Sequence, residues 1–258
     1  MKYLQQQSQA LFDGKGIIIT GGSSGIGLAT AQLFAQLGGH VLVVGRRSEA
    51  LSKATRGHGQ IMGGMVADVS REEDATAVVK QALDLWGHLD VLVNNAGMFA
   101  LASLETVTSD QATSLFQTNV LGPTWLSKAA LEALTETKGA IVNVSSTYGH
   151  KPTAQSAYYA ASKAALEHLT RCWALELASR GIRVNAVAPG PTETPLLQQM
   201  GLSTSTIEAI KQTESKSIPL GHRGKPDEVA SWIVQLAGPA ATWITGQIIT
   251  VDGGLELI

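Results

Sequence analysis

The chain has little of what marks disulfide, metal or membrane proteins. Its 258 residues include one cysteine, Cys172. A single thiol closes no internal disulfide, and its apolar, helical neighbourhood predicts a buried structural thiol. The six histidines share no ligand spacing with each other or with Cys172, so no metal site is expected. No apolar run approaches the roughly 18 residues that a membrane span needs. The formal net charge is only −2, with no basic patch, which argues against nucleic acid as a partner. Met1 to Ala10 is rich in glutamine and has no apolar core, so a signal peptide is not expected there. These absences predict a soluble, cytoplasmic protein.

What is present alternates. Apolar, β-branched runs near 16–20, 40–45, 61–66, 89–93, 139–144, 182–187 and 247–251 read as strands. Helical periodicity falls near 26–37, 48–55, 71–86, 109–134, 157–179 and 227–237. Alternation of this kind predicts an α/β fold: one doubly wound parallel sheet of about seven strands with helices on both faces. No linker or repeat divides the chain, so a single domain over 13–258 is expected behind an N-terminal extension, 1–12. The least regular stretch, Gly190 to Pro219, holds at most a short helix.

The first strand runs into Gly21, Gly22, Ser23, Ser24, Gly25, Ile26 and Gly27 before the first helix. Strand, glycine-rich turn and helix put backbone N–H groups and a positive helix end against a pyrophosphate. No Gly-Lys-Ser/Thr follows, so a nucleoside-triphosphate loop is not indicated. An ordinary βα turn would also carry glycines. After the second strand stand Gly45, Arg46 and Arg47. Glycine cannot hydrogen-bond a ribose 2′-OH as a carboxylate there would, whereas a guanidinium can hold a 2′-phosphate. An arginine stacked on adenine is the other reading.

Tyr159 and Lys163 are four apart and share one face if their segment is helical. A phenol alone titrates near about 10. A cation within roughly 4–6 Å should lower that by about 1–3, making an acid/base that works near neutrality. Ser156 is a plausible N-cap for this helix and Gly181 its C′ residue. Tyr158 has Ser162, not lysine, four positions on. Ser70, with Glu73 three on, reads as a capping box that leaves Asp68 free. Asn94 and Asn95 after an apolar strand suggest satisfied backbone at a site edge. Asn119 is an odd choice inside a helix.

Together, Thr20 to Gly27, Asp68-Val69, Asn94 to Gly97, Asn119, Ile141 to Ser146, Tyr159 to Lys163, Pro189-Gly190 to Thr194 and Val251 to Gly254 resemble the short-chain dehydrogenase/reductase family, in the family's order and over more than nine tenths of the chain. The resemblance implies a Rossmann-like fold and a nicotinamide cofactor. It implies a catalytic set of Asn119, Ser146, Tyr159 and Lys163. Ser146 would bond the substrate oxygen, Lys163 would also bond the nicotinamide ribose, and Asn119 would hold a relay water. Ser145 would be a backbone partner. Asp68 and Val69 would meet the adenine, and Asn95, Ala96 and Gly97 would wall the cofactor. Pro189, Gly190, Thr192 and Thr194 would form the carboxamide loop, with a lid near 194–217 whose Leu196, Leu197, Met200 and Leu202 make an apolar mouth. Gly45-Arg46 usually marks NADP(H) in the family, with NAD(H) the lesser expectation. A homotetramer is implied, built through the long helices and the last strand.

The expected substrate is a small carbonyl or secondary alcohol, its identity set around Met98, Phe99, Thr147, Tyr148, His150 and the lid. A 3-oxoacyl-thioester reductase is the alternative activity. A catalytically silent, cofactor-binding regulator is the alternative class, and the complete tetrad argues against it.

Overall fold

The computed structural model describes residues 11–198 and 201–258. Seven strands form one sheet: β1 (Gly16–Thr20), β2 (His40–Gly45), β3 (Met62–Val66), β4 (Val91–Asn94), β5 (Ala140–Val144), β6 (Arg183–Pro189) and β7 (Ile248–Val251). Their order is β3-β2-β1-β4-β5-β6-β7 and every pairing is parallel. Residues of β1, β4 and β5 are buried throughout, as expected for strands covered on both faces.

Side chains alternate between two cores, because the strand period is two. Ile18, Leu42, Leu92, Ile141 and Val184 pack on one face with α3 (Glu72–Trp86), α5 (Gly122–Thr137) and α6 (Ala157–Leu177). Ile17, Ile19, Val43, Val93, Val142 and Val187 pack on the other with α1 (Gly25–Gln36) and α8 (Pro226–Ala237). Phe12 belongs to this second core, edge-to-face on Phe34 with centroids 4.8 Å apart. Between the layers runs a buried polar chain. Asn94 Nδ2 donates to Asn143 Oδ1 (2.9 Å) and Asn143 Nδ2 to Thr170 Oγ1 (2.9 Å), so amides that burial would penalise are paired. These bonds tie β4, β5 and α6 together directly below the site.

Several expectations are corrected. The helix expected over 109–134 is α4 (Ser109–Phe116), a π-helical turn (Gln117–Leu121) and α5. The irregular stretch before Pro219 contains a full helix, α7 (Thr204–Ser217), whose N-cap Ser203 accepts from Thr206 N. Ser70 caps nothing: α3 starts after Arg71, and Ser70 donates both its N–H and its hydroxyl to Asp68 Oδ1. A short Asx turn out-competes the capping box and engages one carboxylate oxygen of Asp68. Cys172 is half-buried, on the rim of α6, not in the core. Ser156 does precede α6, without a side-chain cap bond, and Gly181 takes the left-handed conformation at φ 77°. Among the described residues no helix is long and apolar enough to cross a membrane. The remaining short helix, α2 (Ser48–Thr55), covers β3.

Candidate active site

The carboxyl ends of the strands open into one cleft of about 410 Å³. Its lining brings together Gly21, Ser23, Ser24, Gly25, Ile26, Gly27, Arg46, Arg47, Asp68, Val69, Asn95, Ala96, Gly97, Ser146, Tyr159, Lys163, Pro189, Gly190, Thr192 and Thr194. Of the predicted catalytic and cofactor residues, Asn119 lies behind the wall with no exposed surface, and His150, expected beside the substrate, is not part of the lining.

At one end the wall is backbone. Gly25 has φ +54°, and a Cβ there would sit 3.0 Å from Thr194 Cγ2; a Cβ on Gly27 would meet Asn95 Nδ2 and Gly21 O at 2.4 Å. Only glycine fits this close approach. The N-cap of α1, Ser24, makes no side-chain cap bond, which leaves the first N–H groups of the helix open to the cleft. A pyrophosphate suits such donors and the positive helix end. Thr20 Oγ1 accepts from Asn95 N (3.0 Å) and Ala96 N (2.9 Å), fixing the loop after β4 against the turn after β1. Arg46 and Arg47 are exposed at the rim and have no ion-pair partner among the described residues. Asp68 Oδ1 is engaged by Ser70. The residues present therefore fit a dinucleotide: bare backbone at a helix start, an acidic group, and two guanidinia on the edge.

At the other end, α6 carries Tyr159 and Lys163 one turn apart. Phe99 packs edge-to-face on the Tyr159 ring at 4.8 Å, and Lys163 Nζ lies 5.9 Å from the ring centroid. Ser146 starts the turn Thr147–Gly149 and its Oγ accepts from Tyr148 N (3.2 Å). Asn119 Nδ2 donates to Met98 O (2.9 Å) and Ser162 Oγ (3.0 Å), while its Oδ1 accepts from Met98 N (2.7 Å). Ser162 Oγ donates in turn to Tyr159 O (2.7 Å). The π-helical turn thus aims Asn119 at the loop after β4 and at the first turn of α6, a common use of such irregularities. Both amide hydrogens are occupied by protein groups, so the side chain is a brace. Ser145 Oγ donates to Glu167 Oε1 (2.8 Å) and lies 3.3 Å from Lys163 O, and so meets a side chain as well as the backbone expected.

One electrostatic expectation is overturned. Burial pushes the Tyr159 phenol up, and the neighbouring Ser146 hydroxyl only partly offsets this. Burial also lowers Lys163, to about 8, with Glu167 acting in the opposite sense. Lys163 Nζ donates to Val144 O (2.8 Å). With the ammonium held on a carbonyl, loss of hydration sets the direction of the phenol's shift.

The lid end holds a feature with little sequence signal. Arg223, 8 % exposed, donates through Nε to Glu193 Oε1 (2.7 Å) and through Nη2 to Thr192 O (2.7 Å), and it pairs with Glu214 of α7. Lys211 of α7 pairs with Glu193 at 2.8 Å. Burial raises the Glu193 carboxyl, but Lys211 and Arg223 outweigh it and hold it below the usual range. Leu196 and Leu197 line the cleft as expected, Leu202 does not, and Met200 lies outside the described residues. Nothing in the spacing of 193, 211, 214 and 223 reveals this cluster; Glu193 alone sat inside a recognised motif.

The comparisons agree with this geometry. A family model described as enoyl-(acyl carrier protein) reductase matches residues 21–256. A 3-oxoacyl-(acyl-carrier-protein) reductase of Thermotoga maritima is 38 % identical over 249 residues, spanning 95 % of this chain and 99 % of that protein. An L-fucose dehydrogenase of Mus musculus is 38 % identical over 250 residues, spanning 95 % and 90 %. A solved short-chain dehydrogenase/reductase of unknown function from Caenorhabditis elegans, crystallised with cofactor, superposes with a TM-score of 0.90 at 36 % identity, covering 96 % of this chain and 97 % of that one. The fold and cleft define a nicotinamide-type oxidoreductase. The chain belongs to the short-chain dehydrogenase/reductase family.

Proposed function

We propose that the protein interconverts a secondary alcohol and a ketone with NADP(H), using Tyr159 as the acid/base. The observation that carries this reading is the meeting of Ser146, Tyr159 and Lys163 in one cleft with the open N-terminus of α1. The nicotinamide, when bound, supplies or accepts the hydride. Tyr159, kept neutral by burial, holds the proton that the substrate oxygen needs. Ser146 offers its hydroxyl to the same oxygen, where charge develops. Lys163, charged below about pH 8, favours the phenolate left behind. Asn119 and Ser162 hold the start of α6 and so orient Tyr159. Thr192, braced by Arg223, and Thr194 shape the wall for a carboxamide.

NADP(H) is preferred over NAD(H) on the strength of Arg46 and of Gly45, which offers no carboxylate to a ribose. Two other activities have specific support. A 3-oxoacyl-thioester reductase is favoured by the Thermotoga maritima relative and by apolar Leu196 and Leu197. Oxidation of a sugar is favoured by the Mus musculus relative and by the charged Arg223–Glu214 wall. A homotetramer in the cytoplasm completes the proposal. Leu175, 83 % exposed, and Trp243, 99 % exposed, support self-association, as does the half-exposed apolar edge strand β7. Initial rates on a panel of simple ketones, 3-oxoacyl thioesters and sugars, with NADPH and NADH, test the reading. No turnover of any alcohol or carbonyl would leave the silent regulator as the function.

A further inference from the structure

The lid end of the cleft carries a carboxylate that the mechanism above does not use. It is mounted on Arg223, whose side chain is only 5 % exposed. Arg223 Nε donates to Glu193 Oε1 (2.7 Å), Nη2 donates to Thr192 O (2.7 Å), and Nη1 meets Glu214 Oε2. The backbone beneath is fixed as well. Glu193 N donates to Gly224 O (2.8 Å), and Gly224 N donates to Pro191 O (3.0 Å). A planar guanidinium gripped along its edges is a rigid mount. Glu214 reaches it from α7, where Lys211, one turn earlier, pairs with Glu193.

The charges of this cluster are matched. Two carboxylates, Glu193 and Glu214, meet two cations, Arg223 and Lys211. A substrate anion would therefore have to displace a carboxylate to reach Arg223. Glu214 itself is different. Its side chain is 26 % exposed and lines the cleft. Oε2 is committed to Arg223, and Oε1 accepts no hydrogen bond from the described residues. A carboxylate has acceptor capacity well beyond one ion pair. Beside it the lining is apolar, with Leu196 and Leu197. A hydrocarbon pressed against Glu214 would strip water from the charge and return no hydrogen bond. Tyr148, two residues after Ser146, lies close enough to Arg223 for the guanidinium to oppose the rise that burial imposes on its phenol. The pair thus stands on the side of the cleft that holds Ser146.

We infer that Glu214 determines the substrate class: its Oε1 accepts a hydrogen bond from a second hydroxyl of the substrate, so the protein takes polyols and hydroxylated carbonyls in preference to plain alcohols, plain ketones or anions. The inference rests on the proposed alcohol–ketone chemistry at Ser146 and Tyr159. Arg223 holds the carboxylate in place beforehand, so little freedom is lost when the hydroxyl docks. An alcohol without that hydroxyl leaves a dehydrated charge behind, which is how a polar site rejects a less polar analogue.

The test is oxidation of cyclohexanol and of the isomeric cyclohexanediols by the intact protein, with NADP⁺ and with NAD⁺. Calorimetric affinities of the same alcohols for the cofactor-loaded protein accompany it, with Tyr159→Phe used where turnover interferes. Wild type should favour at least one diol over cyclohexanol by about tenfold or more in kcat/KM. Glu214→Leu should bring that ratio to within about threefold of unity, and Glu214→Gln, which keeps an acceptor without the charge, should fall between. A lid that was merely loosened would weaken diol and cyclohexanol together and leave the ratio unchanged. A wild type that prefers no diol, in rate or in affinity, overturns the inference, and that result needs no variant to fold. A hydroxycyclohexanecarboxylate preferred over every diol also overturns it, and would make Arg223 an anion anchor. Oxidation of both alcohols with the same ratio in wild type and Glu214→Leu refutes the inference and leaves the catalytic reading standing. Diols that bind tighter than cyclohexanol only when Glu214 is present, in a protein that oxidises neither, refute the catalytic reading and leave the inference standing.

Discussion

At the glycine-turn end of the cleft, bare backbone between Gly21 and Gly27 forms the wall; at the lid end, Glu214 and Arg223 line it, backed by Glu193 and Lys211, with charges from three separate segments. The first end is local: its geometry follows from residues adjacent in the chain and a helix start without a cap. The second is long-range, and each charge is tolerable only because another segment supplies its partner. Backbone recognition fixes a common ligand rigidly. Side-chain ion pairs can be exchanged one at a time, which is where a substrate preference can be set.

The largest expected effect lies between the two ends. Tyr159→Phe removes the phenolic proton and leaves the ring on Phe99, so turnover should fall by about 10³-fold or more while cofactor affinity and Tm stay near wild type. Steady-state rates with a cofactor-binding control check it, and activity within tenfold of wild type would refute the role. At the glycine-turn end, the double change Gly45→Asp with Arg46→Ala should lower the NADPH-over-NADH ratio of kcat/KM by about 10–100-fold. The new side chain has room, since a Cβ on Gly45 meets nothing nearer than 3.7 Å. A wild type that already prefers NADH would sink the assignment of Arg46.

pH separates the ends further. Lys163 titrates near 8 in the folded protein, below its ordinary value, so it is charged at pH 7 and neutral by pH 9. Ketone reduction should hold level up to about pH 7.5 and decline above about pH 8, whereas cofactor binding at the backbone end should follow no such limb. A rate that climbs through pH 8–9 would contradict this sign. The smallest effect is expected from Glu214→Gln, which loosens α7 from Arg223. Substrate KM should rise by about threefold to tenfold with cofactor Kd unchanged, and amide exchange in Thr204–Ser217 should quicken relative to the strands. In wild type that exchange should slow when NADP⁺ and a substrate analogue are added. Equal, strong protection in both proteins would make α7 a fixed wall.

The strands and most helices were legible because their cause is local. Apolar runs such as Ile17–Ile19 and Val41–Val44 have little choice but to be buried, and the glycine turn follows the first of them directly. The candidate tyrosine and lysine were legible because an i, i+4 spacing on a helix is a statement about one face. The Ser70 cap was misread because two local motifs competed for the same hydroxyl, and the Asx turn on Asp68 won. The helix of the lid was misread because its small polar residues carry weak periodicity, and its ion pairs to Glu193 and Arg223 come from outside it.

The order of apolar runs, turns and spaced polar residues in the chain determined the sheet, the glycine wall and the candidates Ser146, Tyr159 and Lys163. Tertiary structure alone decided their electrostatics. Burial, which depends on what packs around a group, raised the phenol and lowered the ammonium where spacing had predicted a mutual attraction. It also decided the partners of Asn119, Glu167 and Arg223, because a hydrogen bond or ion pair across dozens of residues exists only once the sheet has brought its two halves together.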